Sequence, residues 1–133
     1  MARVLYAIST GPNAVGIRRG AYADSKLYVV AFAFFLARRW PDVLSNAVDP
    51  GWVRTRMGGA SAPVDIHTGQ RTQSWLAVST APAAMVSGRY WRHMKPELPA
   101  DEALNLAFHD KMVARLQELT GVELPDVEER FAG

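Results

Sequence analysis

"STGPNAVGIRRGAYADSK", residues 9–26, has two readings, and they belong to opposite ends of one kind of fold. The stretch follows "RVLYAIS" (residues 3–9), a β-branched and aromatic run that predicts a buried strand. The front of the stretch, from Thr10-Gly11 to Gly16-Ile17, has the outline of a glycine turn. Such a turn would hand the strand to a helix whose N-terminus receives a pyrophosphate. The back, Tyr22-Ala23-Asp24-Ser25-Lys26, sets a phenol and an ammonium four residues apart on one helix face.

The front fails in detail. Four residues separate Gly11 from Gly16, where a Thr-Gly-x-x-x-Gly-x-Gly turn allows three, and Arg18 stands in place of the last glycine. Gly20 interrupts the helix that should follow. No acidic residue follows a second strand to hold a ribose. The back is sound chemistry. A phenol titrates near pH ~10 and a neighbouring cation favours its phenolate, so Tyr-x-x-x-Lys can move protons near neutrality. A snorkelling surface pair is the bland alternative.

The rest of the chain decides the fold class. Residues 22–39 hold no Gly or Pro, are rich in Ala, Leu and Phe, and end in Arg38-Arg39 before Pro41, which predicts a helix. "VLSNAVDP" (43–50) reads as a second strand and "WVRTRMGGASAPVDIHTG" (52–69) as a long loop. "QRTQSWLAVST" (70–80) reads as a short helix and "SGRYWRHM" (87–94) as a third strand. In that strand Tyr90 is expected to point inward and Arg89 and Arg92 outward. "PADEALNLAFHDKMVARLQELTG" (99–121) reads as an amphipathic helix, with Asp101 and Glu102 in its first turn and Gly121 at its end. Strands alternating with helices predict an α/β fold with a parallel sheet covered by helices. A length of 133 residues suits one modest domain, and no linker or repeat divides it.

Composition narrows the function. A hydrophobic content of 49% excludes a disordered chain. A net charge of +2 gives no reason for a nucleic-acid partner, and the chain has no Cys for disulfides, thiolate metal sites or a thiol nucleophile. That fits a reducing cytoplasm. His67, His93 and His109 lack metal-ligand spacing. The longest apolar run, "LYVVAFAFFLA" (27–37), is well short of the ~20 residues that span a bilayer. The N-terminus lacks the apolar region of a signal peptide.

"AYADSK", the apolar helix after it and "DPGWVRTRM" (49–57), in that order and spacing, closely resemble the short-chain dehydrogenase/reductase family. Its signature is Tyr-x-x-x-Lys followed by Pro-Gly-x-Val-x-Thr, here Pro50-Gly51-Trp52-Val53-Arg54-Thr55. "TGQRTQSWLAVS" and "VSGRYW" are similar to the family's next helix and last strand. The flavour is that of bacterial relatives of retinol dehydrogenases. The resemblance covers most of residues 4–92.

This resemblance implies a partial Rossmann-like, doubly wound parallel sheet of about three strands with their helices. It implies that residues 1–133 are the C-terminal half of such a domain. The first half would carry the glycine turn, four strands and an Asn of the proton relay. "TGPNAVG" is then a loop whose likeness to a nucleotide turn is coincidence.

It further implies roles. Ser9, thirteen residues before Tyr22, would hold the substrate carbonyl, with Thr10 as the substitute and a strand-capping Ser as the plain alternative. Tyr22 would exchange a proton with the carbonyl or alcohol oxygen. Lys26 would lower the Tyr22 pKa and hold the nicotinamide ribose of NAD(P). Pro50 and Gly51 would let the backbone approach the nicotinamide, Val53 would bond its carboxamide, and Thr55 would contact a phosphate. "MGGASAPVDIHTG" would be a substrate lid. The partners implied are a small carbonyl or alcohol substrate and, through an open edge of the first strand, a second copy or the missing half. A catalytically inactive fragment that binds through that edge is the competing expectation.

Overall fold

The computed structural model describes residues 2–7 and 20–126. The elements are β1 (Ala2–Ala7), α1 (Ala21–Arg39), β2 (Val43–Asp49), α2 (Ile66–Val78), β3 (Tyr90–Arg92), β4 (Lys95–Glu97) and α3 (Leu106–Thr120), with a 3₁₀ turn at Asp101–Leu104 before α3. The sheet order is β1-β2-β3-β4. The first three strands are parallel, with Ala2 opposite Val43 and Val48 opposite Trp91. Among the described residues no helix is long and apolar enough to cross a membrane.

β2 is the centre. All seven of its residues are buried, as a parallel strand covered on both faces requires. Its alternate side chains face different layers. Ala47 packs with Val30, Ala33 and Phe34 of α1, whereas Val48 packs with Leu76 of α2, Ala84 and Trp91. Two of its polar residues are satisfied inside. The Ser45 hydroxyl donates to the Ala33 carbonyl at 2.7 Å, and the Ser45 N–H donates to Ser87 Oγ at 2.9 Å. Asn46 Nδ2 donates to the Val86 carbonyl at 2.7 Å, and Asn46 Oδ1 accepts from the Arg89 N–H at 3.1 Å. Arg3 of β1 crosses the α2 face and closes that helix. Its guanidinium donates to the carbonyls of Leu76 (2.7 Å) and Ser79 (2.8 Å) and reaches Met85 Sδ.

α3 lies over α1. Met112 and Val113 pack with Ala31, and buried His109 meets the Ala103 carbonyl through Nε2 at 2.6 Å. Ion pairs Arg38–Asp110 and Arg39–Asp126 tie the same layer together on the surface.

Four expectations change. α2 begins at Ile66, capped by Asp65, so residues 66–69 of the expected loop are helical. "SGRYWRHM" is not one strand: after Arg92 the chain turns at His93 (φ 47°) and Met94 (φ 66°) and returns as antiparallel β4. Two successive left-handed residues make the tight hairpin turn that suits strand twist, although neither is a Gly or Asn. Tyr90 does pack inward, against the Val30–Phe34 cluster of α1, but Arg92 shares its face, and Trp91 is turned into the α2 layer on the other side, 5.5 Å edge-on from Trp75. A period of two allows nothing else. The last helix starts at Leu106, capped by Asn105 Oδ1 on the Phe108 N–H, so Asp101 and Glu102 belong to the 3₁₀ turn. Its end at Gly121 is as expected.

Asn46→Ala would leave the part-buried Val86 carbonyl and Arg89 N–H without their partner, at about 1 kcal/mol for each bond lost. Urea unfolding should show that loss with an unchanged m value. α2 opens on Asp65, whose carboxylate accepts from the His67 and Thr68 amides and the Thr68 hydroxyl. The Thr68 backbone bond, then its hydroxyl bond, hold the Asp65 pKa below its ordinary value. A lowered folded pKa stabilises above the unfolded pKa of about 4 and ceases to do so as pH falls through the folded value. The neutral cap in Asp65→Asn should therefore lower Tm at pH 7 and make no difference at strongly acid pH.

Candidate functional site

α1 runs antiparallel to β2. Leu36 packs with Val43, the Ala33 carbonyl takes the Ser45 hydroxyl, and Val30 packs with Ala47. Each step back along the helix thus moves forward along the strand. The first turns of α1, with Tyr22 and Lys26, therefore stand at the carboxyl end of β2, where Pro50 and Gly51 follow. In open α/β sheets this is the end where ligands bind.

Tyr22 is half exposed. Lys26 Nζ lies 5.0 Å from the Tyr22 ring centroid, within cation–π range. The Ser25 hydroxyl donates to the Tyr22 carbonyl at 2.7 Å, so the residue between them turns back on its own helix. The structure thus brings Tyr22 and Lys26 together as a pair open to solvent. Ser9 and Thr10 lie outside the described residues.

The Pro50–Thr55 segment is built from the backbone. Gly51 has φ +78°, and a Cβ there would stand 3.1 Å from His93 Cε1 and 3.3 Å from Val64 Cγ2. Its N–H donates to Asp49 Oδ1 at 2.8 Å. Val53 then bridges Val64 in parallel, through the Arg54 N–H on the Val64 carbonyl (2.7 Å) and the Val64 N–H on the Trp52 carbonyl (3.2 Å). A parallel bridge of this type leaves the central residue's own peptide groups on the other side. Among the described residues none accepts the Val53 N–H. α2 comes up against the same residue: a Cβ on Gly69 would stand 2.7 Å from Val53 Cγ2. Thr55 is exposed; its Oγ1 accepts from the Gly58 N–H at 3.0 Å and keeps its own proton to donate.

The loop after Thr55 is bonded to itself. Trp52 Nε1 donates to the Gly58 carbonyl (2.8 Å), and Arg54 Nε donates to the Ala62 carbonyl (3.2 Å). Its base is the Val53–Val64 bridge, and Met57 is exposed above it.

Sequence reasoning missed one group. Asp49 is 3% exposed, and its Oδ2 accepts from the Tyr90 hydroxyl at 3.1 Å with Arg92 Nε at 3.9 Å. Burial, then the Asp49 charge, push the Tyr90 phenol well above its ordinary pKa, so it remains a donor. The signal was present: Asp before Pro-Gly is a turn-forming combination whose side chain bonds the backbone two residues on.

These residues fit a nicotinamide nucleotide. A Val53 N–H that no described residue accepts suits a carboxamide oxygen, the Thr55 hydroxyl suits a phosphate, and the Lys26 ammonium suits ribose hydroxyls. Among the described residues no group of three His, Cys, Asp or Glu is placed to hold a metal ion. Gly58 guards this arrangement, because a Cβ there would stand 1.9 Å from the Val53 carbonyl oxygen. Gly58→Ala should shift the Val53 and Arg54 amide resonances in a ¹H–¹⁵N spectrum while leaving those of α3 in place.

No family model matches the chain. Known proteins do. A short-chain dehydrogenase of Gibberella zeae is 33% identical over 106 residues, 79% of this chain and 40% of the relative. Human retinol dehydrogenase 13 is 30% identical over 131 residues, 84% of this chain and 40% of the relative. The chain spans about two fifths of the length of the curated relatives it matches. A carbonyl reductase structure from Drosophila melanogaster, Sniffer, superposes with a TM-score of 0.52 at 23% identity, over 71% of this chain and 40% of that one; at that identity the likeness is one of fold. Sequence and fold agree, and the chain is a relative of the short-chain dehydrogenase/reductases.

Proposed function

We propose that this chain is the catalytic-helix half of an NAD(P)-dependent oxidoreductase that interconverts a small carbonyl compound and its alcohol. The observation that supports this most is the Tyr22–Lys26 pair at the carboxyl end of the sheet, the end where Pro50-Gly51 leaves β2. In this reading NAD(P), when bound, supplies the hydride chemistry at the substrate carbon. The chain's own residues hold and protonate. The Tyr22 hydroxyl donates its proton to the carbonyl oxygen in reduction and takes it back in oxidation. The Lys26 ammonium offers N–H donors to ribose hydroxyls. The Val53 N–H holds the carboxamide, and the Thr55 hydroxyl holds a phosphate oxygen. Ser9, or Thr10 in its place, steadies the substrate oxygen.

A second reading is favoured by the sheet order. β1 stands at one end of it, so among the described residues one of its edges carries no strand. A chain that offers this edge to the other half of the domain, or to a second copy, would work by complementation.

Titrating the chain with NADPH and NADH tests the first reading. Binding is expected through the Lys26, Val53 and Thr55 groups. Lys26→Ala, which removes charged hydrogen bonds, should weaken it roughly tenfold or more. Tyr22→Phe should leave binding nearly intact and lower carbonyl reduction by about 10²-fold or more. Binding that is indifferent to Lys26 would sink the assignment.

A further inference from the structure

The carboxylate at the end of β2 is a buried charge outside the Tyr22–Lys26 pair. Buried carboxylates persist only where hydrogen bonds and counter-charges replace their water. Asp49 has both, and they come from two directions. Oδ1 takes the Gly51 N–H at 2.8 Å, closing a turn across Pro50. Oδ2 is held sideways by the neighbouring strand, through the Tyr90 hydroxyl at 3.1 Å and Arg92 Nε at 3.9 Å. The His93 ring packs on Gly51 from the hairpin that continues β3. Two residues beyond Gly51 stands Val53, whose N–H no described residue accepts.

The geometry points to Asp49 as a positioning residue. Its carboxylate, clamped by Tyr90 and Arg92, sets the Pro50-Gly51 turn and thereby the direction in which the Val53 N–H is presented. The inference rests on the reading that this N–H meets a nicotinamide carboxamide. Asp49 does not itself touch the reacting atoms; it fixes to the sheet a backbone segment that would otherwise turn freely about Gly51.

The test uses the full chain and three variants. Asp49→Ala removes both acceptors. Asp49→Asn keeps an oxygen for Gly51 and offers an amide to Tyr90. Tyr90→Phe removes only the hydroxyl that holds Oδ2. Two readouts are taken: the Gly51 and Val53 amide resonances with Gly51 hydrogen exchange, and NADPH dissociation constants by saturation-transfer NMR. In Asp49→Ala the two amides should move, Gly51 exchange should rise by about tenfold, and the dissociation constant should rise by a similar factor. Tyr90→Phe should do the same to a smaller degree. Asp49→Asn should stay close to wild type, a rescue that loss of packing alone would not give. Should Asp49→Ala fail to fold, Tyr90→Phe decides. Unmoved Gly51 and Val53 amides in the variants overturn the proposal, as does unchanged NADPH affinity once those amides have moved. Moved amides in a chain that binds neither cofactor would uphold Asp49 as the residue that sets the turn and would sink the nicotinamide reading instead.

Discussion

Burying β2 on both faces is the constraint from which the rest follows. A strand covered by α1 on one side and by α2 on the other cannot leave a polar group to water, yet three of its seven residues are polar. Each is answered by a different neighbour. Ser45 is tied to α1 and to Ser87 ahead of β3. Asn46 holds the backbone that leads into β3. Asp49 holds the turn that leaves the sheet. These bonds specify register where an all-apolar strand would only be sticky. A one-residue slip of β3 would cost Asn46 both partners at once.

The candidate site is the outward end of this arrangement. α1 packs along β2 step for step, so a helix anchored by Val30, Ala33 and Leu36 in the core delivers Tyr22 and Lys26 beyond the strand's end. The same strand delivers Pro50 and Gly51 there. The placement of Tyr22 and Lys26 is thus set by packing, because the buried helix behind them supplies their position. The Thr55–Val64 loop is likewise held at its base by α2, through Gly69 against Val53.

Much of this was legible in the sequence because it depended on periodicity and on two short motifs. α1 was visible in its unbroken apolar run and its Arg38-Arg39-x-Pro41 ending, β2 in a short stretch closed by Pro-Gly, and the candidate site in Tyr22, Lys26 and the Pro50–Thr55 segment. What was not legible came from pairings. The β3–β4 hairpin is hidden because its turn uses His93 and Met94 instead of a Gly or Asn. Because β3 is covered on both faces, an Arg-Tyr-Trp-Arg string does not say that Trp91 is buried as well as Tyr90, or that Arg92 lies on the face of Tyr90. Asp49 read as the end of a strand; its bond to Gly51 is local, but Tyr90 and Arg92 lie more than forty residues away, beyond any local window.

Arg3 carries a consequence for how the chain acquires its fold. The last carbonyls of α2 are met by a guanidinium 73 to 76 residues earlier in the sequence. That helix end stays dependent on water until β1 has docked beside β2, and β1 cannot be clasped until residues near Ser79 and Met85 exist to receive its side chain. Contacts of such separation are slow to find because the loop entropy is lost before the bonds form. On a ribosome, β1 would wait for the 76 residues that separate Arg3 from Ser79 before it could lock.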